Sequence, residues 1–178
     1  MVVVKSLYLM RHAKSSWADP ALADHDRPLA GRGRRAALAM GEHMRSQGVR
    51  PHLVLCSSAR RARQTLEALH SVLAADVGVS VEAGLYHADS FELLDRLRAL
   101  DDEIPSVMVI GHNPALQDLA RELVGGGDAG ATSQLRTKFP TAALATLEVD
   151  LSSWTGLSRG QAHLARLVLP RQLDLKKD

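Results

Sequence analysis

The sequence has 178 residues, 46% of them hydrophobic and 24% charged, with a formal net charge of +2 and one cysteine. That length suits one domain able to bury a core without covalent staples, and the composition excludes disordered and fibrous classes. Cys56 has no second thiol to pair with, which rules out an internal disulfide and agrees with a reducing, cytoplasmic setting.

Residues 2–10 are apolar, but the run is about half the length a membrane-spanning helix needs and Lys5 interrupts it, so it reads as a strand. It also lacks the basic, apolar, small-residue order of a secretory leader. Between residues 27 and 63 the chain carries nine arginines against the single acid Glu42, a local charge of 9 − 1 = +8 that leaves −6 for the remainder. Such asymmetry points to an anionic partner. Residues 32–47 repeat apolar side chains every four positions (Ala36, Met40, Met44) and meet Gly48 and Pro51, which predicts a helix. Residues 53–56 predict a strand. Ala59, Ala62, Leu66, Leu69 and Leu73 then share one helical face.

Residues 79–82 suggest a further strand. Asp89 with Glu92 resembles a capping box that opens a helix. Residues 107–110 predict another strand, followed by Asn113 as cap and Pro114 at the first helical position. Residues 125–134 read as a glycine-containing loop, residues 142–149 and 164–169 as strands, and 171–178 as a polar tail after a single domain spanning 1–170. Strands alternating with helices favour a three-layer α/β/α sandwich with a mostly parallel central sheet.

Three polar constellations follow three of these strands. Arg11-His12 follows the first, Ser57-Ser58-Ala59-Arg60-Arg61-Ala62-Arg63-Gln64-Thr65 the second, and Gly111-His112-Asn113-Pro114 a later one. Open α/β sheets place ligands at the carboxyl ends of their strands, and backbone N–H groups with arginines suit a phosphate. Helical spacing alone leaves Arg60, Arg61 and Arg63 all plausible as the phosphate-facing arginine.

The segments LYLMRHAKSSW, DHDRPLAGRGRRA, CSSARRARQT, VIGHNP and FPTAAL, in this order, resemble the histidine phosphatase superfamily, and within it the small SixA-type phosphohistidine phosphatases. The resemblance implies a phosphoglycerate-mutase-like fold and a phosphatase that works without metal or cofactor. It implies that His12 is the nucleophile, with Arg11, Arg61 and His112 around the phosphoryl group. Ser15 matches a hydroxyl position near phosphate, Lys14 and Trp17 form the rim, and Ser58 and Asn113 join the binding surface. Two guanidiniums and an imidazolium then meet the charge spread over the equatorial oxygens of a transferring phosphoryl group. Glu82 and Asp89 are the candidates for a general acid, although Asp89 also reads as a helix cap. Ser58 replaces a proline common in the family, which bears on the placement of Arg61. Ala30 replaces the usual Ser or Thr cap.

An alkoxide leaving group needs a proton, whereas imidazole departs readily as a neutral base. The expected substrate is therefore a phosphohistidine on a protein. The alternatives are a small phosphoester such as a sugar phosphate, with Glu82 or Asp89 as acid, and a non-catalytic phosphate-binding module. Aromatic residues make up only 3% of the chain and no nucleic-acid-binding module is present, so Arg32, Arg34, Arg35, Arg45 and Arg50 read as a solvated surface. His25, His43, His52, His70, His87 and His163 read as surface or packing residues. Neither a membrane nor a nucleic acid is an expected partner, and no feature encodes the oligomeric state.

Overall fold

The first apolar run forms β1 (Val3–Arg11), and Arg11 is its last residue rather than the first after it, because it pairs with Gly111. The structure, a computed structural model, describes residues 3–173. Val2 and residues 174–178 of the expected tail lie outside the described residues, while residues 171 and 172 belong to a 3-10 turn, Pro170–Gln172. The remaining strands are β2 (Leu53–Ser57), β3 (Gly78–Glu82), β4 (Ser106–Gly111), β5 (Val124–Gly127), β6 (Leu144–Leu151) and β7 (Ala162–Val168). The helices are α1 (Gly31–Ser46), α2 (Arg60–Leu69), α3 (Ser90–Arg98), α4 (Ala115–Leu123) and α5 (Ala129–Thr137).

The strands form one sheet in the order β3-β2-β4-β1-β6-β7-β5, and β6 alone runs against its neighbours. Both faces are covered, which is why the inner strands are continuously apolar. Leu7, Leu9, Leu55, Val107 and Val109 face a core shared with Leu93 and Leu97 of α3, Leu116 and Leu119 of α4, and Leu135 of α5. Their sequence neighbours Tyr8, Met10, Val54, Cys56, Met108 and Ile110 face Met40 and Met44 of α1 and Ala62 and Leu69 of α2. This period-two alternation builds the expected three-layer α/β/α sandwich. Among the described residues no helix is long and apolar enough to cross a membrane.

Residues 125–134 are not the loop their glycines suggest. Gly125–Gly127 extend β5, which pairs with β7, and a Cβ on Gly125 would stand 1.9 Å from the Gly160 carbonyl oxygen, so only glycine admits this approach. Asp128 then caps α5 by accepting from the Ala131 N–H at 2.8 Å. Asn113 does not cap α4; its amide turns to the Phe139 carbonyl, and Pro114 takes the cap position without a side-chain bond. The strand expected at 142–149 starts later, since Ala142 adopts a positive φ of 61°.

Candidate active site

Strands β2, β4 and β1 are neighbours and parallel, so the residues that follow them emerge along one edge. His12 and His112, a hundred positions apart, meet there with ring centroids 5.0 Å apart and planes tilted by 53°. The His12 main-chain N–H donates to the Gly111 carbonyl at 3.0 Å, which fixes the two strand ends at one level.

His12 is buried, and its Nδ1 lies 2.7 Å from the Ala13 carbonyl oxygen. A carbonyl only accepts, so Nδ1 carries the proton and the Nε2 lone pair is free to act. That Nε2 accepts from Arg61 Nε at 3.3 Å. Buried Thr65 joins both sides of this contact: its Oγ1 accepts from the Ala13 N–H at 3.0 Å and donates to the Arg61 carbonyl at 2.7 Å. The loop after His12 also takes the first turn of α1 at close range. The Lys14 carbonyl accepts from the Ala30 N–H, and a Cβ on Gly33 would stand 2.1 Å from the Lys14 carbonyl oxygen.

Burial pushes the His12 pKa down to about 3; the Ala13 hydrogen bond opposes the shift, and His112, Arg61 and Arg11 add to it. Burial and then Arg61 lower that of His112 to about 4. With both values this far below 7 the rings are neutral at pH 7, and for His112 burial is the larger cause and the neighbouring Arg61 the smaller. The Nδ1 of His112 faces Arg61 Nη2 at 3.5 Å, which leaves its Nε2–H to donate to Ser57 Oγ at 2.7 Å. Arg11 donates through Nη1 to the Phe139 carbonyl at 3.1 Å, and its buried Nε has no hydrogen-bond partner. Burial, then Arg61, lowers the Arg11 pKa.

Four expected residues, Arg11, His12, Arg61 and His112, thus share one cluster, with Asn113 attached through the same Phe139 carbonyl. Ser58 stands beside them and pairs with His25 Nε2 at 2.9 Å, and His25 packs edge-on to Tyr86. Arg27 engages Ser15 instead of leaving its hydroxyl open, donating from Nη2 at 2.8 Å. The Arg27 guanidinium lies 3.4 Å from the ring centre of exposed Trp17.

Glu82 and Asp89 are each taken up by other partners. Arg96 grips Glu82 through Nε at 2.9 Å and Nη2 at 2.7 Å, and that bonding, foremost, lowers the Glu82 pKa. Asp89 forms both halves of a capping box with Glu92 at the start of α3.

Sequence reasoning passed over Asp24 and Tyr86. Asp24 Oδ2 accepts from Arg61 Nη2 at 3.1 Å and from the Tyr86 hydroxyl at 2.5 Å, and its carbonyl accepts from Arg61 Nη1 at 2.8 Å. Its Oδ1 pairs with Arg27 Nε at 3.3 Å. The Tyr86 hydrogen bond is the largest cause holding the Asp24 carboxyl below its usual range. Both residues lie in irregular segments whose sequence carries no periodic signal.

Known proteins resemble this chain in sequence and fold. A family model for the histidine phosphatase superfamily (branch 1) matches residues 7–90. An uncharacterized protein of Mycobacterium leprae is 37% identical over 166 residues, 91% of this chain and 100% of the relative. The phosphohistidine phosphatase SixA of Escherichia coli (strain K12) is 31% identical over 148 residues, 82% of this chain and 86% of that protein. Among solved structures, a candidate SixA phosphohistidine phosphatase from Nakamurella multipartitia aligns with a TM-score of 0.82 at 32% identity, over 94% of this chain and 97% of that one. The protein histidine phosphatase SixA complexed with tungstate aligns at 0.75 and 27% identity, over 94% and 98%. With its parallel strand ends, paired histidines and these relatives, the chain belongs to the histidine phosphatase superfamily, in its SixA-type group with the phosphoglycerate-mutase-like fold, and is a phosphatase.

Proposed function

We propose that this phosphatase removes the phosphoryl group from phosphohistidine on a protein, by way of a phosphohistidine on His12. The His12 Nε2 lone pair attacks phosphorus, and the bond from phosphorus to the substrate's imidazole nitrogen breaks; with the other nitrogen of that ring already protonated, the imidazole is released as a neutral base. Water then attacks the phosphoryl group on His12, giving inorganic phosphate and restoring the ring. Donor and acceptor in the first step are the same chemical group, so the transfer is nearly balanced in free energy.

In this reading the cations do what a loose phosphoryl transition state requires. Arg11, with its unpartnered Nε, and Arg61 hold the equatorial oxygens, while His112, positioned by Ser57, adds a third contact. An arriving phosphoryl group replaces the long Arg61–His12 contact, and its negative charge favours protonation of His112. A tetrahedral oxyanion, tungstate, is the ligand named for one solved relative. Asn113 and Ser58 border the phosphoryl site, and Lys14, Ser15 and Trp17 its outer rim.

One observation carries the choice of substrate: the carboxylates that could serve as a general acid are each taken up by other partners. Arg96 holds Glu82, two arginines and Tyr86 hold Asp24, and Asp89 caps a helix. A general acid must be protonated at working pH, whereas the bonding of Glu82 and Asp24 holds both carboxyls below their usual range. A substrate that leaves as neutral imidazole does not need one. The groove beside His112, about 350 Å³ and lined by Tyr86, His87, Asp89 and Asp118, presents flat rings and negative charge, which suit an imidazole better than an anionic sugar phosphate.

The test compares kcat/KM for a phosphohistidine peptide and a sugar phosphate, in the native protein and in His12→Ala. Phosphohistidine should be preferred by about 100-fold or more, the order of magnitude a general acid supplies when present. Faster cleavage of the sugar phosphate would overturn the substrate assignment. Undiminished turnover in His12→Ala would overturn the mechanism.

A further inference from the structure

We propose that Asp24 is a positioning residue for phosphoryl transfer, acting through Arg61. This rests on the reading of Arg61 as a phosphoryl-gripping group and is independent of the physiological substrate. A guanidinium is a planar fork whose donors point in fixed directions, so holding one edge aims the other. Asp24 holds the outer edge twice, its carbonyl at Nη1 (2.8 Å) and its carboxylate at Nη2 (3.1 Å). The inner edge is thereby presented to the two histidines, with Nε at His12 Nε2 (3.3 Å) and Nη2 near His112 Nδ1 (3.5 Å).

Asp24 is in turn fixed from two other sides. The Tyr86 hydroxyl donates to the same Oδ2 at 2.5 Å, and Arg27 Nε pairs with Oδ1 at 3.3 Å. Tyr86 itself stands edge-on to His112, with ring centroids 5.6 Å apart at 75°, and His25 packs edge-on to Tyr86 at 4.8 Å. The carboxylate is therefore the common point of a frame that joins Arg27, Arg61 and Tyr86. It also places a negative charge between guanidiniums that would otherwise repel one another where a phosphoryl group must bind.

A carboxylate at an active site invites a second reading, that of proton donor to the leaving group. The bonding opposes it, since two hydrogen-bond donors and the Arg27 cation stabilise the charged form. The two roles separate by leaving group. Loss of an acid slows esters with poor leaving groups and spares good ones, whereas misalignment of Arg61 slows both alike.

The experiment measures kcat and KM for Asp24→Asn, Arg61→Ala and the double variant with p-nitrophenyl phosphate and with an alkyl phosphate. Asparagine keeps the backbone contact to Arg61 and the side-chain volume. Asp24→Asn should lower kcat on both substrates by a common factor of about 10 to 100, the cost of displacing a catalytic group by a fraction of an ångström to an ångström. KM should move by less than about threefold. In the Arg61→Ala background the same substitution should have almost no effect. Tyr86→Phe, which removes one hydrogen bond to Asp24, should lower kcat by a smaller factor that also vanishes when Arg61 is absent.

Three results would overturn the proposal: an unchanged kcat in Asp24→Asn, a loss confined to the alkyl phosphate, or an equal loss with and without Arg61. A normal kcat in Arg61→Ala would instead overturn the role of Arg61 on which the proposal depends.

Discussion

The neutral, buried state of His12 should be visible as a pH dependence of stability. An unfolded histidine titrates near 6.5, and the folded His12 titrates near 3. Between these values the unfolded chain binds a proton that the native ring does not, so stability falls as pH falls through that window. The slope for one such group is about 1.4 kcal/mol per pH unit. Evaluated from pH 7 to pH 5, His12 should cost the native state about 2 kcal/mol. Other groups also titrate there, so the informative quantity is the difference between the native protein and His12→Asn, whose side chain does not titrate. Urea unfolding at pH 7, 6 and 5 in phosphate-free buffer, followed through the buried Trp154, gives that difference directly. The native protein should lose about 2 kcal/mol more than the variant over the two units. Saturating phosphate should reduce this excess, because an anion beside the ring raises its pKa. Parallel pH dependences in the two proteins would refute the reasoning, and with it the claim that burial keeps the ring uncharged.

Two further outcomes follow from side chains around the site. Thr65→Val leaves the buried Ala13 N–H without its acceptor and should destabilise the protein by about 1–3 kcal/mol in urea unfolding. Phosphatase assays on the folded variant should show a reduced kcat, because the Ala13 carbonyl orients His12. Asp89→Ala removes a capping box and should cost about 0.5–2 kcal/mol of stability. Its turnover should stay near native, and a fall of about 100-fold would identify Asp89 as a proton donor after all.

Strands β1, β2 and β4 could be read from the chain because they are buried on both faces, so each is a short, mainly apolar run that stops at polar residues. The sheet edge gathering Arg11, Ser57 and His112 is implied by that pattern together with parallel connectivity. The capping box at Asp89 was legible too, since its signal is local. What escaped was set by tertiary contacts. The glycines of β5 read as loop because nothing near them in sequence announces the carbonyl of Gly160 that they approach. Asn113 read as a cap, yet a distant carbonyl, that of Phe139, competes for its amide. The charge of His112 depends on burial and on Arg61, neither of which a motif records. Asp24 and Tyr86 come from separate irregular segments and meet only in three dimensions.

The position of β4, inserted between β1 and β2, makes the candidate active site a late product of folding. Its two imidazoles directly follow strands whose pairing closes a loop of about a hundred residues, a contact that forms only after considerable chain entropy has been given up. A nascent or proteolysed chain lacking β4 holds His12 and the arginines yet has no edge on which to assemble them. Recovery of turnover during refolding should therefore report docking of β4, and should trail the appearance of helical signal.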